Sequence, residues 1–422
     1  MKNYEISVTN YKFPLFSLRL ITFAGIFLIL SFAAKAQIAV RGETVWTMTQ
    51  NEPIRDGVVL IRNGKIERVG AAGQIQIPSD YRVINAKVVT PGLIDSHTVV
   101  GLSGYMNQPH DQMQLDASAP IQPELRAIDS YNTQERLIEW LREFGVTTIH
   151  TGHGPGAAVS GQTMIAKTIG KTVDEAAMVP TAMVAATIGD SAMLSGGRAP
   201  GTRAKEIAML RAELLKATDY NRKVDDAKGD ALKLPTREMR TEMFGRVLRR
   251  ELPLLVTAHR HQDISTALRL AKEFNIRLIL DGAADAHLLI NEIKAANVPV
   301  IVHATMYRAG GETGNLSMTT ASKLRQAGIP IALQSGFEGY VPKTRVVLLE
   351  AGIAAANGLS QRDALGSITI DAARILGIDA RVGSLVAGKD ADLAMYDGDP
   401  LEYTTHCIGT IINGNVVSQA IR

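Results

Sequence analysis

A single cysteine, Cys407, in 422 residues leaves no partner for an internal disulfide, and a cysteine-rich zinc site is excluded by the same count. No long basic run occurs, and a formal net charge of +3 offers no electrostatic footprint for nucleic acid. Neither a repeat period nor a low-complexity tract is present, so solenoid and disordered classes fall away. What remains is 46% hydrophobic and 21% charged, an ordinary globular balance in a chain long enough for a large core and a smaller second domain.

Apolar runs of membrane-spanning length are missing as well. Lys12 and Arg19 precede an apolar run from Leu20 to Ala34, shorter than the ~20 residues a spanning helix needs. Ala34-Lys35-Ala36 then supplies small residues at the spacing a signal peptidase reads, so residues 1–36 are expected to be a secretory signal. No cysteine follows at once, which excludes a lipoprotein. Export without disulfides points to a Gram-negative periplasm, with no stable membrane association after the signal is removed.

From Ile38 to Val89 short alternating runs, such as Val58–Ile61 and Lys65–Val69, flank Asn63-Gly64, a dipeptide suited to a tight hairpin. Similar runs return near the other end, at Leu393–Tyr396 and Thr410–Val417. Neither set has enough strand to bury a face alone, so a small β-sandwich domain is expected from residues 37–89 together with 379–422. Between them, over residues 90–378, apolar strands alternate with helical patterns, as in parallel strands with crossover helices. Strands are expected at Leu93–His97, Val146–Thr151, Met164–Thr168, Met183–Ile188, Leu254–His259, Arg277–Asp281, Val300–His303 and Ile331–Gln334. Eight strands imply an α/β fold, a distorted (β/α)8 TIM barrel. The charged stretch Thr202–Arg250, broken at Lys233-Leu234-Pro235, reads as an insertion over the barrel rim.

The chain is organised around Val88–Gly104, where Pro91-Gly92 precedes a short apolar strand ending on Asp95 and His97. Ionisable residues at strand ends are how barrel enzymes present chemistry at one rim. This run resembles the first barrel strand of the metal-dependent amidohydrolases, near the imidazolonepropionase-like branch, whose motif is Pro-Gly-hydrophobic-hydrophobic-Asp-x-His-x-His. The stretch Gly383-Ser384-Leu385 to Leu393 resembles a recurrent closing phrase of the same family.

The resemblance implies a pair of metal ions held by strand-end histidines, a lysine or glutamate, and an aspartate. Such donors suit zinc, whose bound water ionises near neutral pH. Residue by residue, His97 matches the first strand, but Val99 replaces its second histidine. His259 matches the fifth strand, with His261 two residues beyond, while Asp281 stands where the sixth carries histidine. Gly336 stands in place of the eighth-strand aspartate, which removes the usual general base. Lys167 is the one lysine near the expected fourth-strand position.

His150, His153 and His303 also fall at strand ends, although a single such histidine is often a hydrogen-bonded core residue. A phosphate-loop reading of Gly152–Gly161 fails because no Gly-Lys-Ser/Thr follows, and no serine lies in a Gly-x-Ser-x-Gly elbow. Lys343 and Arg345 are candidates for an anionic substrate group.

The expectation is an exported hydrolase acting on a non-peptide carbon–nitrogen bond, in a cyclic amide or related small substrate. Its metal site is altered: at most one divalent ion per chain, zinc first among candidates, on His97, His259 and Asp281. Asp281, His303 and His150 are the candidates for catalytic work in place of the missing aspartate. The alternative is a non-catalytic relative that binds a small molecule in the periplasm. If the signal reading holds, N-terminal sequencing of the protein from its native host should begin at Gln37; a soluble form retaining residues before Leu20 would refute it.

Overall fold

The computed structural model describes residues 37–194, 196, 198–303, 309–338, 341–342 and 347–419, giving backbone alone at 337, 338, 341 and 342. The expected signal, residues 1–36, lies outside the described residues, as do Lys343 and Arg345.

Three sheets carry the fold. The strands are β1 (Ile38–Val45), β2 (Ile54–Arg62), β3 (Lys65–Ala71), β4 (Arg82–Pro91), β5 (Leu93–Thr98), β6 (Val146–Thr151), β7 (Val159–Gln162), β8 (Met164–Lys167) and β9 (Ala177–Val179). They continue with β10 (Val184–Thr187), β11 (Leu254–Ala258), β12 (Leu278–Gly282), β13 (Val300–Val302), β14 (Ile331–Leu333), the two-residue pair β15 (Phe337–Glu338) and β16 (Val341–Pro342), then β17 (Leu393–Tyr396), β18 (Cys407–Ile412) and β19 (Asn415–Ser418).

Both ends of the described chain share one seven-stranded sheet, ordered β19-β18-β17-β4-β1-β2-β3, with β17 antiparallel to β4 from Leu393↔Pro91 to Tyr396↔Val88. The Asn63-Gly64 hairpin is present, with positive φ at both residues. Where a two-layer sandwich was expected there is a single sheet with a core on each face. Val59 and Ile61 pack with Val40, Leu393 and Met395, while Val58 and Leu60 turn the other way onto Ile75 and Tyr81. The period of two along β2 divides its apolar residues between both faces.

The eight strands expected between the ends all form, but in two sheets. One is ordered β14-β13-β12-β11-β10-β7, parallel from β10 to β14; the other is β5-β6-β8-β9. β8 runs antiparallel to β6, and β7 antiparallel to β10, because the chain passes straight from one sheet to the other with only Thr163 between them. No crossover helix fits in one residue, so this part departs from the alternating βα pattern. On the opposite side β5 lies beside the end of β14, where the Ser335 amide donates to Asp95 Oδ1 at 2.9 Å. Ile94, Ile165, Met183, Leu255, Ile279, Ile301 and Ala332, from both sheets, join in one apolar cluster, so the sheets face a common interior. The ladders do not close into a continuous barrel among the described residues.

The stretch expected to lie over the rim is instead part of the main core. It forms helices Arg203–Asp226 and Met239–Leu248, which bury Leu210, Leu214, Phe244 and Val247 against the outer face of the strands. Spacings of three and four residues gather those side chains on one side of each helix.

Lys167 is held away from any rim. Its ammonium is buried against the Asp392 carboxylate and 3.2 Å from Asp390, and so ties β8 to the seven-stranded sheet. Removing one partner leaves a charge stranded in a low-dielectric interior. Asp392→Ala should cost ~3 kcal/mol in urea unfolding, the low end for such a removal because Asp390 stays close; a change within error would show that the pair does not bind the two parts together.

Candidate active site

Side-chain alternation builds the site. Leu255, Ile279, Ile301 and Ala332 point inward in the apolar layer. Two residues further along the same strands stand Thr257, Asp281, His303 and Gln334, and all four line one cavity with His97, Thr98, Val99, Pro155, His259 and Gly336. The cavity holds about 40 Å³, above the ~10–15 Å³ that one water needs. The inward period of two thus places an apolar floor beneath a polar layer.

Asp281 is the hub of that layer. Its Oδ1 accepts from His97 Nδ1 at 3.0 Å and from Gln334 Nε2 at 2.7 Å, and its Oδ2 accepts from the Thr257 hydroxyl at 2.6 Å. Burial works to raise the Asp281 pKa, but the adjacent His97 and the donated hydrogen bonds outweigh it and hold the group well below the usual carboxylate range. Burial likewise works against a charged His97, yet the Asp281 carboxylate leaves its imidazole above the ordinary value. With Nδ1 engaged, His97 Nε2 is buried without a hydrogen-bond partner, as is His259 Nδ1. Thr257 and Gln334 had no distinguishing residue type in the sequence; the signal that could have found them is their shared parity with Asp281 and His303.

His259 and His303 lie with ring centroids 6.3 Å apart. Each ring packs over a glycine. A Cβ added at Gly336 would stand 2.3 Å from His303 Nε2, and one at Gly282 would stand 2.5 Å from His259 Cε1. Both glycines also have positive φ, +67° and +75°. The His303 ring therefore fills the space into which an eighth-strand aspartate side chain would begin to project.

The other candidates fall elsewhere. His150 is behind the cavity, 5.6 Å from His97 ring to ring, with Nδ1 donating to Ser96 O and Nε2 engaged by the Thr163 hydroxyl, both at 2.7 Å. Burial pushes its pKa down to about 3. It backs the first strand and is not placed to carry protons. His153 is buried against Gly161, and His261 is exposed beside Asp285. Asp95, which burial raises to about 6, is spent on the Ser335 amide and hydroxyl at the seam between the sheets.

The donors around the cavity differ from the family's paired-metal set. Asp281 accepts three hydrogen bonds, Val99 and Gly336 offer no donor, and Lys167 is tied to Asp392, while His97, His259 and His303 line the cavity. Among the described residues no group of three or more His, Cys, Asp or Glu could hold a metal.

An α/β architecture with strand-end histidines and an aspartate around an interior cavity defines a class, that of the amidohydrolase-type enzymes. The model of the amidohydrolase family matches residues 129–418, and the chain belongs to that family. Its relatives point to the imidazolonepropionase-like branch. The chain is 24% identical over 383 residues to an imidazolonepropionase of Solibacter usitatus, covering 84% of this chain and 88% of that one. It is 24% identical over 408 residues to amidohydrolase tasK of Hapsidospora irregularis, covering 86% of this chain but only 41% of that longer protein. A solved amidohydrolase from Thermotoga maritima superposes with a TM-score of 0.85 at 28% identity, over 91% of this chain and all of that one.

The packing of His303 on Gly336 gives a direct test. Gly336→Ala combines a steric clash with a left-handed backbone, whereas Gly377→Ala meets the same backbone sign (φ +71°) in open space. The clash should add ~1–3 kcal/mol to the destabilisation of the first variant over the second in chemical unfolding. Equal losses would mean that His303 moves aside freely.

Proposed function

We propose that the protein is a hydrolase of carbon–nitrogen bonds other than peptide bonds, acting on a cyclic amide or related small substrate, with a site altered from the family's paired-metal pattern. The observation that carries this reading is the His97–Asp281 pair, whose imidazole turns its unpartnered Nε2 into a cavity shared with His259, His303, Thr257 and Gln334. Membership of the family and similarity to imidazolonepropionases support hydrolysis as the reaction class.

In this reading Asp281 holds the His97 ring so that Nε2 faces a water in the cavity. His97 takes a proton from that water as its oxygen bonds to the substrate carbonyl carbon. The carbon–nitrogen bond then breaks, and the proton passes from His97 to the departing nitrogen, so one water is consumed and a cyclic substrate opens to a carboxylate and an amine. His259 and His303, packed on their glycines, orient the substrate carbonyl. Export through residues 1–36 would place this activity in the periplasm; among the described residues no helix is long and apolar enough to cross a membrane. A second reading, a small-molecule binder without turnover, is favoured by the engagement of both His150 nitrogens and both Asp281 oxygens in hydrogen bonds within the protein.

Turnover should be measured on a panel of cyclic amides, lactams, linear amides and dipeptides. The expected outcome is hydrolysis confined to non-peptide members, with His97→Ala lowering kcat by ~10²–10⁴-fold, the usual worth of a positioned base. Binding of a panel member with no hydrolysis at any pH would replace the hydrolase with the binder.

A further inference from the structure

An ionised carboxylate can only accept hydrogen bonds, so each neighbour that meets Asp281 gives it a donor and keeps its acceptors. We infer that Thr257 and Gln334 are specificity-determining residues whose remaining acceptors read a substrate N–H, so that the cavity selects rings carrying an unsubstituted amide nitrogen beside the carbonyl. The inference deepens the proposed function by naming its substrate class, and rests on that reading for the location of the site.

The orientation of the Gln334 amide follows from its surroundings. Its Nε2 lies 2.7 Å from Asp281 Oδ1 and 3.3 Å from the Ile301 carbonyl oxygen. Both are acceptors, and exchanging the amide nitrogen and oxygen would set lone pair against lone pair at each of them. Two acceptors use both N–H groups, so the side chain has Oε1 alone to present to the cavity that it lines. Thr257 is fixed by the same logic. Its Oγ1 stands 2.6 Å from Asp281 Oδ2, and because the carboxylate has no proton to give, the hydroxyl donates and keeps its lone pairs. Among the described residues neither Gln334 Oε1 nor Thr257 Oγ1 accepts a hydrogen bond from the chain.

These acceptors come from either side of Asp281: Thr257 is its ladder partner on β11, and Gln334 follows directly on β14. The cavity, at about 40 Å³, has room for about three water-sized groups, so it receives the amide edge of a ring and not a whole substrate. A buried acceptor that a ligand covers without supplying a donor loses its solvation and gains nothing in return. A site built to bond an N–H therefore rejects an analogue that lacks it more strongly than shape alone would.

The test is binding of γ-butyrolactam and cyclopentanone to the purified full chain; the two rings share size and carbonyl and differ by N–H against CH₂. Ligand-observed NMR titration should show tighter binding of the lactam, and Gln334→Met should narrow the ratio of the two dissociation constants by roughly 5–100-fold, the effect of an acceptor left unmet. A purely structural role, in which Gln334 serves only to hold Asp281, would weaken both rings in parallel and leave the ratio unmoved. Thr257→Val should narrow the ratio as well, whereas Thr257→Ser, which keeps the hydroxyl, should preserve it; this pair carries the measurement if Gln334→Met does not fold. Equal affinity of the native chain for the two rings, a ratio unchanged in Gln334→Met and Thr257→Val, or no binding of either ring would overturn the inference. A lactam that is selected and never hydrolysed would sink the hydrolase reading and leave this one standing. Hydrolysis of cyclic amides by a chain whose variants discriminate as the native one does would do the reverse.

Discussion

A buried carboxylate has to be compensated where it sits, and the interior of this protein is arranged around that demand at Asp281. Left bare, such a charge would neutralise or unfold its surroundings. The imidazole of His97, the hydroxyl of Thr257 and the amide of Gln334 come from three other strand ends to meet it. Those contacts fix the height of β5, β11 and β14 relative to β12, because a shift of one residue in any of them would turn its donor to the other face. The cavity lined by His97, His259 and His303 is what remains above that arrangement.

Two further polar ties hold the sheets that supply these strands. At one seam Asp95 is bound by the amide and hydroxyl of Ser335, which joins β5 to the end of β14 where no regular ladder forms. Lys167, Asp390 and Asp392 do the same between β8 and the sheet made from the two chain ends, with Lys65 and Arg381 adding their charges to Asp390 at 2.6 and 2.9 Å. A lysine that the family resemblance would send to the active site is thus recruited to hold two parts of the molecule together.

Family membership and chemistry separate at the level of single residues. The overall likeness to amidohydrolases covers most of the chain. The departures, Val99, Asp281 and Gly336, sit together around one cavity, and the structure shows them to be mutually consistent: the ring of His303 needs the glycine, and Asp281 is held by three neighbours. A fold keeps its architecture through many such changes because its core is shared among all the strands, whereas a site is altered by each of them.

By itself the sequence determined the strands, since an apolar run of five or six residues bounded by turn signals has few other uses, and it determined which histidines stand at strand ends. The parallel set β10 to β14 was legible for that reason, as were His97, His259, Asp281 and His303 as neighbours around one site. Direction and sheet membership were not legible for β7 and β8, because a single linking residue, Thr163, sends the chain from one sheet to the other and periodicity carries no record of that turn. Partnership was the second thing left to the tertiary structure. Whether an imidazole nitrogen is free or engaged depends on which hydroxyl or carbonyl folding brings to it, and that alone separates His150, closed by Ser96 and Thr163, from His97, open at Nε2.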